Sequence, residues 1–420
     1  MLSALFRNPT FRLLLVLVLA GLAIHRLLIK GMYYRSRALE RSAIASKWLE
    51  NGFSVVVVWP PHLDRSLVEG VQLALDEVNA GDTHGMTPNP ARLRGKIHVA
   101  FVNEVKDRGA IAREIVKYPN ILAVIGHELS ENVVPASISY EHAGILFISP
   151  KSTDTLLTDH NFSYIFRLTP DDDDSTKFAA DFALSKGWTN VGMFFGRNDH
   201  GVGASGWFSA HFKDVGGSLI YQRSYLQPIN PDDAKNIDLR DLVADVRKEF
   251  PTGVQANLVA DILPFAAKLL LDMYQMGMTI PVLATDKLDS SDVFHIASQM
   301  ANVDEATRAT NNLYVVSAVD PSSRAPKFQA FRQRFHAFHG DYPGYGATQG
   351  YEAFMLFVNA ILASGSADPV VVATSLRTTT WHGLFGDFSF APNGDILGRE
   401  LSIKHMQNGK FQTVTSGEPK

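Results

Sequence analysis

Two polar loops in the middle of the chain hold the side chains best placed to bind a small molecule. Each loop follows a short apolar run, 122–125 and 145–148, of the kind typical of a strand buried on both faces of a parallel sheet. The loops are 127–130 and 149–154, and the apolar spacing over 130–142 predicts a helix between them. Ligands of open α/β sheets bind at the carboxyl ends of the strands, so we expect a binding site here. Hydroxyl and N–H groups beside a helix amino terminus suit a carboxylate.

The sequence contains none of the common catalytic or cofactor motifs. There is no G-x-S-x-G elbow, no Walker loop and no G-x-G-x-x-G, and GRNDHGVG at 196–203 lacks the glycine spacing of a dinucleotide site. His336 and His339 stand three residues apart without an H-E-x-x-H pattern. The aspartates of 171–174 lack the spacing of a calcium loop and are typical of a solvated helix start. We therefore expect no enzyme, no cofactor and no metal site.

Composition sets further limits on the class of protein. The chain has 420 residues, 46% hydrophobic and 20% charged, with a net charge of −4, which suits two globular lobes and gives no sign of a nucleic-acid partner. It has no cysteine, which excludes structural disulfides, thiolate metal sites and a cysteine nucleophile.

From residue 53 onward, predicted strands and helices alternate in the pattern of a doubly wound sheet. The pattern restarts after Arg167, and no linker rich in proline, glycine or serine separates the two halves. The fold class predicted is α/β, with two Rossmann-like lobes joined by several crossings. The predicted strands are 55–58, 96–102, 122–125, 145–148, a short one near 165, 191–195, 218–225, 256–259, 281–284 and 313–319.

Four segments, in matching order and spacing, carry a resemblance to a known family. From about residue 53 the chain resembles the branched-chain amino acid (Leu/Ile/Val) binding proteins of ABC importers, which are type I periplasmic binding proteins. The segments are VEGVQLALDEVNAG (68–81), AVIGHELSENVVPASISYEHAGILFISP (123–150), TDTLLTDHNFSYIFRLTPDD (153–172) and GDFSFAPNGDILGRELSI (386–403). The resemblance implies two lobes with three hinge crossings that close over a small ligand, without chemistry. It divides the chain into an N-lobe of 53–169 and 318–385 and a C-lobe of 170–317 and 386–420.

The resemblance also implies which residues bind the ligand. Ser130 and Thr153 match the serine and threonine that hold the α-carboxylate, and Lys151 stands where a small residue offers its backbone groups. Asp286, at the end of the VLATD strand, matches the acid that pairs with the α-ammonium. Structural roles stay open: Ser130 as a helix cap, and Asp286 in a salt bridge to Lys287 or a loop lysine.

Several positions depart from the family pattern and leave the ligand open. His200 and Ile262 replace tyrosines, and Trp59 takes the place of an aromatic residue in a shortened first loop. Lys151 adds a positive charge, which implies either a more anionic ligand or neutralisation of Asp154 or Asp286. Tyr345 is a further candidate for the cleft surface. An aliphatic amino acid, an amide, a short acid and an aromatic acid all remain candidates.

The first fifty residues differ from the rest of the chain. The segment 1–31 contains an apolar run, 13–24, and predicts a cytoplasmic tail with a signal peptide or an uncleaved signal anchor, of which we favour the anchor. Residues 32–52 predict a helical stem. Basic residues follow the apolar run, and the positive-inside rule would keep the body cytoplasmic, against the export that the resemblance implies. The residues concerned are Arg26, Lys30, Arg35, Arg37 and Arg41.

Two functions follow from these observations. The first is a membrane-tethered or exported periplasmic binding protein that captures an amino acid or a related carboxylate or amide for an ABC permease or sensor in the membrane. The second is a ligand-independent, membrane-anchored accessory subunit that keeps the fold. The retained Ser130, Thr153 and Asp286 favour the first, whereas the anchor and Lys151 favour the second.

Overall fold

The computed structural model describes residues 9–60, 65–104, 109–128, 130–228 and 230–414, without the side chains of 9–14, 22–24 and 26–30. The predicted tail up to residue 8, most of the shortened first loop (61–64) and the last six residues lie outside this description.

Helices alternate with strands through most of the described chain, as the apolar pattern predicts. In chain order the helices are α1 (Pro9–Ala45), α2 (Trp48–Asn51), α3 (Ser66–Ala80), α4 (Ala110–Ile115), α5 (Ser130–Ala143), α6 (Asp172–Ser185), α7 (Asp199–Asp214), α8 (Arg240–Glu249), α9 (Phe265–Gln275), α10 (Asp292–Met300), α11 (Val303–Thr310), α12 (Pro326–His339), α13 (Tyr345–Ser364) and α14 (Pro369–Thr378). The strands are β1 (Phe53–Trp59), β2 (Ile97–Asn103), β3 (Ile121–Gly126), β4 (Leu146–Ser149), β5 (Ile165–Arg167), β6 (Asn190–Gly196), β7 (Ser218–Tyr225), β8 (Ala256–Ala260), β9 (Val282–Ala284), β10 (Leu313–Ser317), β11 (Trp381–His382), β12 (Asp387–Phe390), β13 (Ile396–Leu397), β14 (Ser402–Gln407) and β15 (Lys410–Val414).

The strands form two large sheets and a small one. The N-lobe sheet is parallel throughout, in the order β2-β1-β3-β4-β5. The C-lobe sheet has the order β15-β14-β10-β9-β8-β6-β7, and only β14 and β15 run antiparallel to their neighbours. The chain passes between the lobes after β5, after β10 and again before β14, which gives the three crossings expected of this architecture.

The third crossing comes later than predicted. Residues 386–397, assigned above to the C-lobe, carry β12 and β13 and form a small antiparallel sheet with β11. Phe388, Phe390 and Ile396 pack in the same hydrophobic core as β1 and β3. The short apolar strands are buried against the N-lobe, so the chain enters the C-lobe only with β14.

Two glycines let a pair of N-lobe helices pack backbone to backbone. A Cβ atom at Gly70 of α3 would lie 2.0 Å from the carbonyl oxygen of Ala347 in α13. A Cβ atom at Gly350 of α13 would lie 2.2 Å from the carbonyl oxygen of Leu67 in α3. Neither position has room for a side chain, and this close contact fixes α13, whose first residue is Tyr345, relative to the N-lobe sheet.

Residues 9–45 of the predicted anchor and stem segments form one helix, α1, whose carboxyl-terminal part docks on the N-lobe, and the end of the stem segment forms α2. Arg41 is fully buried there and donates hydrogen bonds to the carbonyl oxygens of Ile121 (2.7 Å), Tyr118 (3.2 Å) and Ala143. Burial lowers the pKa of Arg41 to about 10. The end of α1 is therefore part of the folded body, and not a solvated linker.

Within the described residues, no single helix is both long and apolar enough to cross a membrane. Helices α13 and α14, which meet at an angle of 100°, are together long and apolar enough for a bent span, judged by length and composition alone. Both helices contribute buried residues to the N-lobe core.

Candidate functional site

The candidate site lies where the carboxyl ends of the strands in the two lobes face each other. On the N-lobe side, Trp59 ends β1, and the predicted loops follow β3 and β4. On the C-lobe side, the start of α7 follows β6, and further loops follow β8 and β9. Gly126 ends β3 with φ of +133°, where a Cβ would lie 2.0 Å from the carbonyl oxygen of Val58, so the turn into the first loop requires glycine.

The N-lobe wall presents buried hydroxyl groups. Ser149, Ser152 and Thr153 are fully buried, and their hydroxyl oxygens have no hydrogen-bond partner within the described residues. Ser130 is the first residue of α5 and is half-buried. The predicted residues Ser130 and Thr153 thus stand at the ends of neighbouring strands, and the sequence reasoning missed Ser149 and Ser152 as hydroxyl donors.

Lys151 bridges several parts of the cleft. Its carbonyl oxygen accepts a hydrogen bond of 3.0 Å from the Nζ of Lys287 in the opposite lobe. Its own Nζ lies 3.4 Å from Glu128 Oε1. The same Nζ is 6.0 Å from the ring centre of Trp59 and 5.6 Å from that of Tyr345.

The charge of Lys151 acts on Asp286, one of the two partners predicted for its neutralisation. The ion pair of Lys151 within the described residues is with Glu128, a residue that sequence reasoning did not select. Asp154 instead accepts the N–H of Leu156 and begins a short 3-10 turn. The Glu128 pair balances the lysine charge inside the N-lobe, so Lys151 does not by itself require an anionic ligand.

Asp286 is the buried carboxylate of the C-lobe wall. It is 3% exposed, and neither of its carboxylate oxygens has a hydrogen-bond partner within the described residues. Burial raises the pKa of Asp286, against the opposing effect of the Lys287 ammonium. The predicted alternative, a salt bridge to Lys287, does not form, because Lys287 donates to Lys151 instead.

His200 lies beside a second carboxylate. Its Nε2 is 2.8 Å from the hydroxyl of Thr285, and its Nδ1 is 3.5 Å from Asp172 Oδ1. Burial acts to lower the pKa of His200, but the carboxylates of Asp172 and Asp286 outweigh it and the pKa is raised. Asp172 is 3% exposed and therefore differs from the solvated helix start predicted for 171–174.

The remaining predicted residues lie in the N-lobe core, in the loop after β8 and at the first crossing. Trp59 is 1% exposed and belongs to the N-lobe core. Ile262 is half-buried and donates its backbone N–H to Asp261. Tyr345 shares a hydrogen bond of 2.8 Å with Thr169, at the first crossing, and burial raises the pKa of its hydroxyl. A direct ligand contact by any of these three stays a prediction.

Comparison with protein families identifies the architecture. The model of a family described as periplasmic binding protein matches residues 61–410. The chain belongs to that family. The matched residues include both lobes and all three crossings between them.

Several curated periplasmic binding proteins are similar to the chain along most of its length. The leucine-, isoleucine-, valine-, threonine- and alanine-binding protein of Pseudomonas aeruginosa is 24% identical over 346 residues, which is 82% of this chain and 86% of that protein. The Leu/Ile/Val-binding protein of Citrobacter freundii is 23% identical and aligns with 80% of this chain and 84% of its own length.

Solved structures show the same fold. A substrate-binding protein of an ABC transporter from Desulfitobacterium hafniense, in complex with Leu, has a TM-score of 0.70 and 25% identity, covering 86% of this chain and all of that chain. A leucine-binding protein from Thermotoga maritima has a TM-score of 0.73 and 20% identity, covering 86% of this chain and 98% of that one. A Rhodopseudomonas palustris binding protein in complex with benzoate has a TM-score of 0.72 and 14% identity, covering 86% and 95%.

Proposed function

We propose that the chain is an exported solute-binding protein that captures a small amino-acid-like ligand between its two lobes by hinge closure. Its partner is an ABC permease or a sensor complex in the membrane. The observation that carries the proposal is that two loops, joined across the lobes by the hydrogen bond from Lys287 to Lys151, hold buried polar groups without hydrogen-bond partners. These groups are the hydroxyls of Ser152 and Thr153 in the N-lobe and the carboxylate of Asp286 in the C-lobe.

This arrangement suits a zwitterion. Hydroxyl and backbone N–H groups around 149–154 and Ser130 bind the ligand's carboxylate, and Asp286 accepts from its ammonium. Because the two charges are held by different lobes, the ligand binds the closed form more tightly than the open one. That difference in affinity shifts the population toward closure and gives the partner complex its signal. The amino-acid ligands in the names of the curated relatives support the same ligand class.

Tethering at the inner membrane is part of this proposal and rests on the apolar run 13–24 of the sequence, since no single described helix is long and apolar enough to cross a membrane. The apolar run 13–24 lies in the first half of α1, and the helix is 37 residues long, about 55 Å at 1.5 Å per residue. Because Arg41 fixes its other end to the N-lobe, the tether holds that lobe in place while the C-lobe moves. Cleavage and release into the periplasm is the alternative fate.

A second candidate function is the ligand-independent accessory subunit. One contact favours it: the Lys287 ammonium already occupies the Lys151 carbonyl, a group that a ligand's ammonium would otherwise use. In that case the protein closes on its own side chain and acts as an anchored interaction subunit.

Isothermal titration of leucine into the full-length protein in detergent separates the two functions. The first predicts saturable binding that is lost in the double variant Ser130→Ala/Asp286→Ala, which still melts cooperatively. In the single variant Asp286→Asn, loss of the charge weakens binding by about 2–5 kcal/mol, or roughly 30-fold or more. Asp245→Asn is the matched control, since Asp245 is exposed on α8. Unchanged affinity in the double variant would remove this site, and no binding of any small acid or amide to the wild type would favour the accessory subunit.

A further inference from the structure

Three segments of the C-lobe bring polar side chains to one buried point beside the cleft. Asp172 begins α6, His200 lies in the first turn of α7, and Asp286 follows β9. One donor atom from each side chain lies within 4.8 Å of the other two. The three residues are 3%, 4% and 3% exposed. The cluster is therefore removed from bulk water, unlike acidic groups on a protein surface.

The converging atoms have no other partners. Asp172 Oδ1, His200 Nδ1 and both carboxylate oxygens of Asp286 make no hydrogen bond within the described residues. His200 Nδ1 lies 3.5 Å from Asp172 Oδ1. Buried carboxylate oxygens that lack hydrogen bonds are costly, and a cation bound between them would satisfy them.

The other nitrogen of His200 fixes the orientation of its ring. Nε2 is 2.8 Å from Thr285 Oγ1. When Nε2–H donates to Thr285, the lone pair of Nδ1 points toward the two carboxylates. Histidine ligands of metals are held in this way, with the second ring nitrogen donating to a neighbouring acceptor.

We propose that Asp172, His200 and Asp286 form a site for a divalent cation of the zinc class. Zinc is bound by histidine nitrogen and by carboxylate oxygen, and a site with three protein ligands leaves its fourth position open. With bonds of about 2.0–2.1 Å, two ligand atoms of a tetrahedral zinc lie about 3.4 Å apart. The 3.5 Å between His200 Nδ1 and Asp172 Oδ1 already matches that spacing, and Asp286 has to approach by a small movement.

The charges around the site agree with a divalent ion. The two carboxylates of the site lie near the ammonium of Lys287, which is bound to the Lys151 carbonyl, and the Lys151 ammonium also acts on Asp286. Lys151 itself is paired with Glu128. Asp286 is also the carboxylate proposed to hold the ligand's ammonium, so the zinc ion and an amino acid compete for it. This competition rests on the proposed function, whereas zinc binding itself does not.

Zinc titration tests the site. Full-length protein in detergent, stripped with EDTA and free of amino acids, is titrated with Zn²⁺ by calorimetry. We expect one ion per chain, and binding at least 30-fold weaker in His200→Gln and in Asp172→Asn, each checked for cooperative melting. His295→Gln is the matched control, because His295 is exposed on α10 of the same lobe and its loss leaves the affinity unchanged.

X-ray absorption of the loaded protein gives a second readout, with one imidazole and two carboxylates around zinc. Absence of saturable binding in the wild type, or equal affinity in wild type and His200→Gln, would overturn the site. Leucine titration in EDTA reports on the proposed function separately. In wild-type protein that binds leucine, equimolar zinc should weaken leucine binding, and this effect should vanish in His200→Gln.

Discussion

The ammonium of Lys287 in the C-lobe donates a hydrogen bond of 3.0 Å to the carbonyl oxygen of Lys151 in the N-lobe. Both residues are largely buried, and the contact joins the loops that follow β9 and β4. It links the two lobes directly without a ligand. A solute-binding protein with such a contact has a closed form that is stabilised by its own side chain.

Replacing Lys287 should therefore shift the free protein toward the open form. A buried hydrogen bond from a charged donor contributes about 1.5–3 kcal/mol, so Lys287→Met should lower the closed-to-open ratio by roughly 10- to 150-fold. Fluorescence transfer between dyes on Lys117→Cys and Asp245→Cys, one in each lobe, measures this ratio, since the chain has no native cysteine. Lys248→Met, at an exposed site on α8, is the control. Equal transfer in both variants would show that the contact does not hold the lobes together.

The buried guanidinium of Arg41 should be essential for stability. Arg41→Met leaves the buried carbonyls of Ile121 and Ala143 without this donor, and we expect a loss of about 3–5 kcal/mol in the free energy of unfolding. Chemical denaturation of the full-length protein measures the loss. Arg35→Met, at an exposed site on the same helix, should change stability by less than about 0.5 kcal/mol. Similar stabilities for the two variants would mean that α1 is not part of the folded body.

The close contact between α3 and α13 predicts that alanine at Gly70 destabilises the protein, whereas alanine at an exposed helix glycine stabilises it. Gly70→Ala places a methyl group against the carbonyl of Ala347, and we expect a loss of about 3 kcal/mol or more from the forced separation of the helices. Gly206→Ala, in the exposed interior of α7 with no atom within 4 Å of the new Cβ, should stabilise by about 0.5–1 kcal/mol. Thermal melting compares the two. A tolerated Gly70→Ala would contradict the close packing.

Asp261 should give the stability a characteristic pH dependence. Burial raises the pKa of Asp261 to about 6, against the hydrogen bonds that it accepts from Tyr225, Ile262 and Asn198. The folded state thus binds this proton more tightly than the unfolded chain. The resulting stabilisation is fully present below the unfolded-state pKa of about 3.9 and is lost as pH rises through about 6.

Asp261→Asn removes this dependence. Relative to wild type, the variant should gain about 2–3 kcal/mol in the free energy of unfolding between pH 3.5 and pH 7, corresponding to the shift of about 2 pKa units. Urea unfolding across that range measures the difference, with Asp245→Asn as an exposed control whose offset stays constant. A constant offset for Asp261→Asn as well would mean that the Asp261 pKa is not raised.

Much of the fold was predictable from local pattern. Runs such as 55–58 and 122–125 are apolar because strands of a parallel sheet are covered on both faces, so their positions follow from the sequence alone. The apolar pattern predicts α7 only from Gly206, whereas the helix begins at Asp199, since 199–205 is rich in glycine and polar residues. The helix is initiated by Asn198, whose side chain accepts from the N–H of Gly201, and a cap of this kind is hard to separate from a turn.

The site was predictable only in part, because its polar chemistry depends on contacts between lobes. Asp286 could be selected because the resemblance places the family's acidic residue at that position, at the end of the VLATD strand. Asp172 could not, since it stands within four consecutive aspartates and only the fold shows that it alone is buried among them. The role of Lys287 likewise depends on the approach of Lys151 from the other lobe, more than a hundred residues away in sequence.

The most direct test of the account is a thermal-shift measurement on the full-length protein against leucine and a panel of other amino acids, small carboxylates and amides. A ligand that binds only the folded state stabilises it by about 2.7 kcal/mol at a concentration of 100 Kd. We predict a clear rise in Tm with at least one α-amino acid, abolished in Ser130→Ala/Asp286→Ala. A cooperative melt whose Tm no compound in the panel changes would contradict the proposal that this cleft captures a ligand.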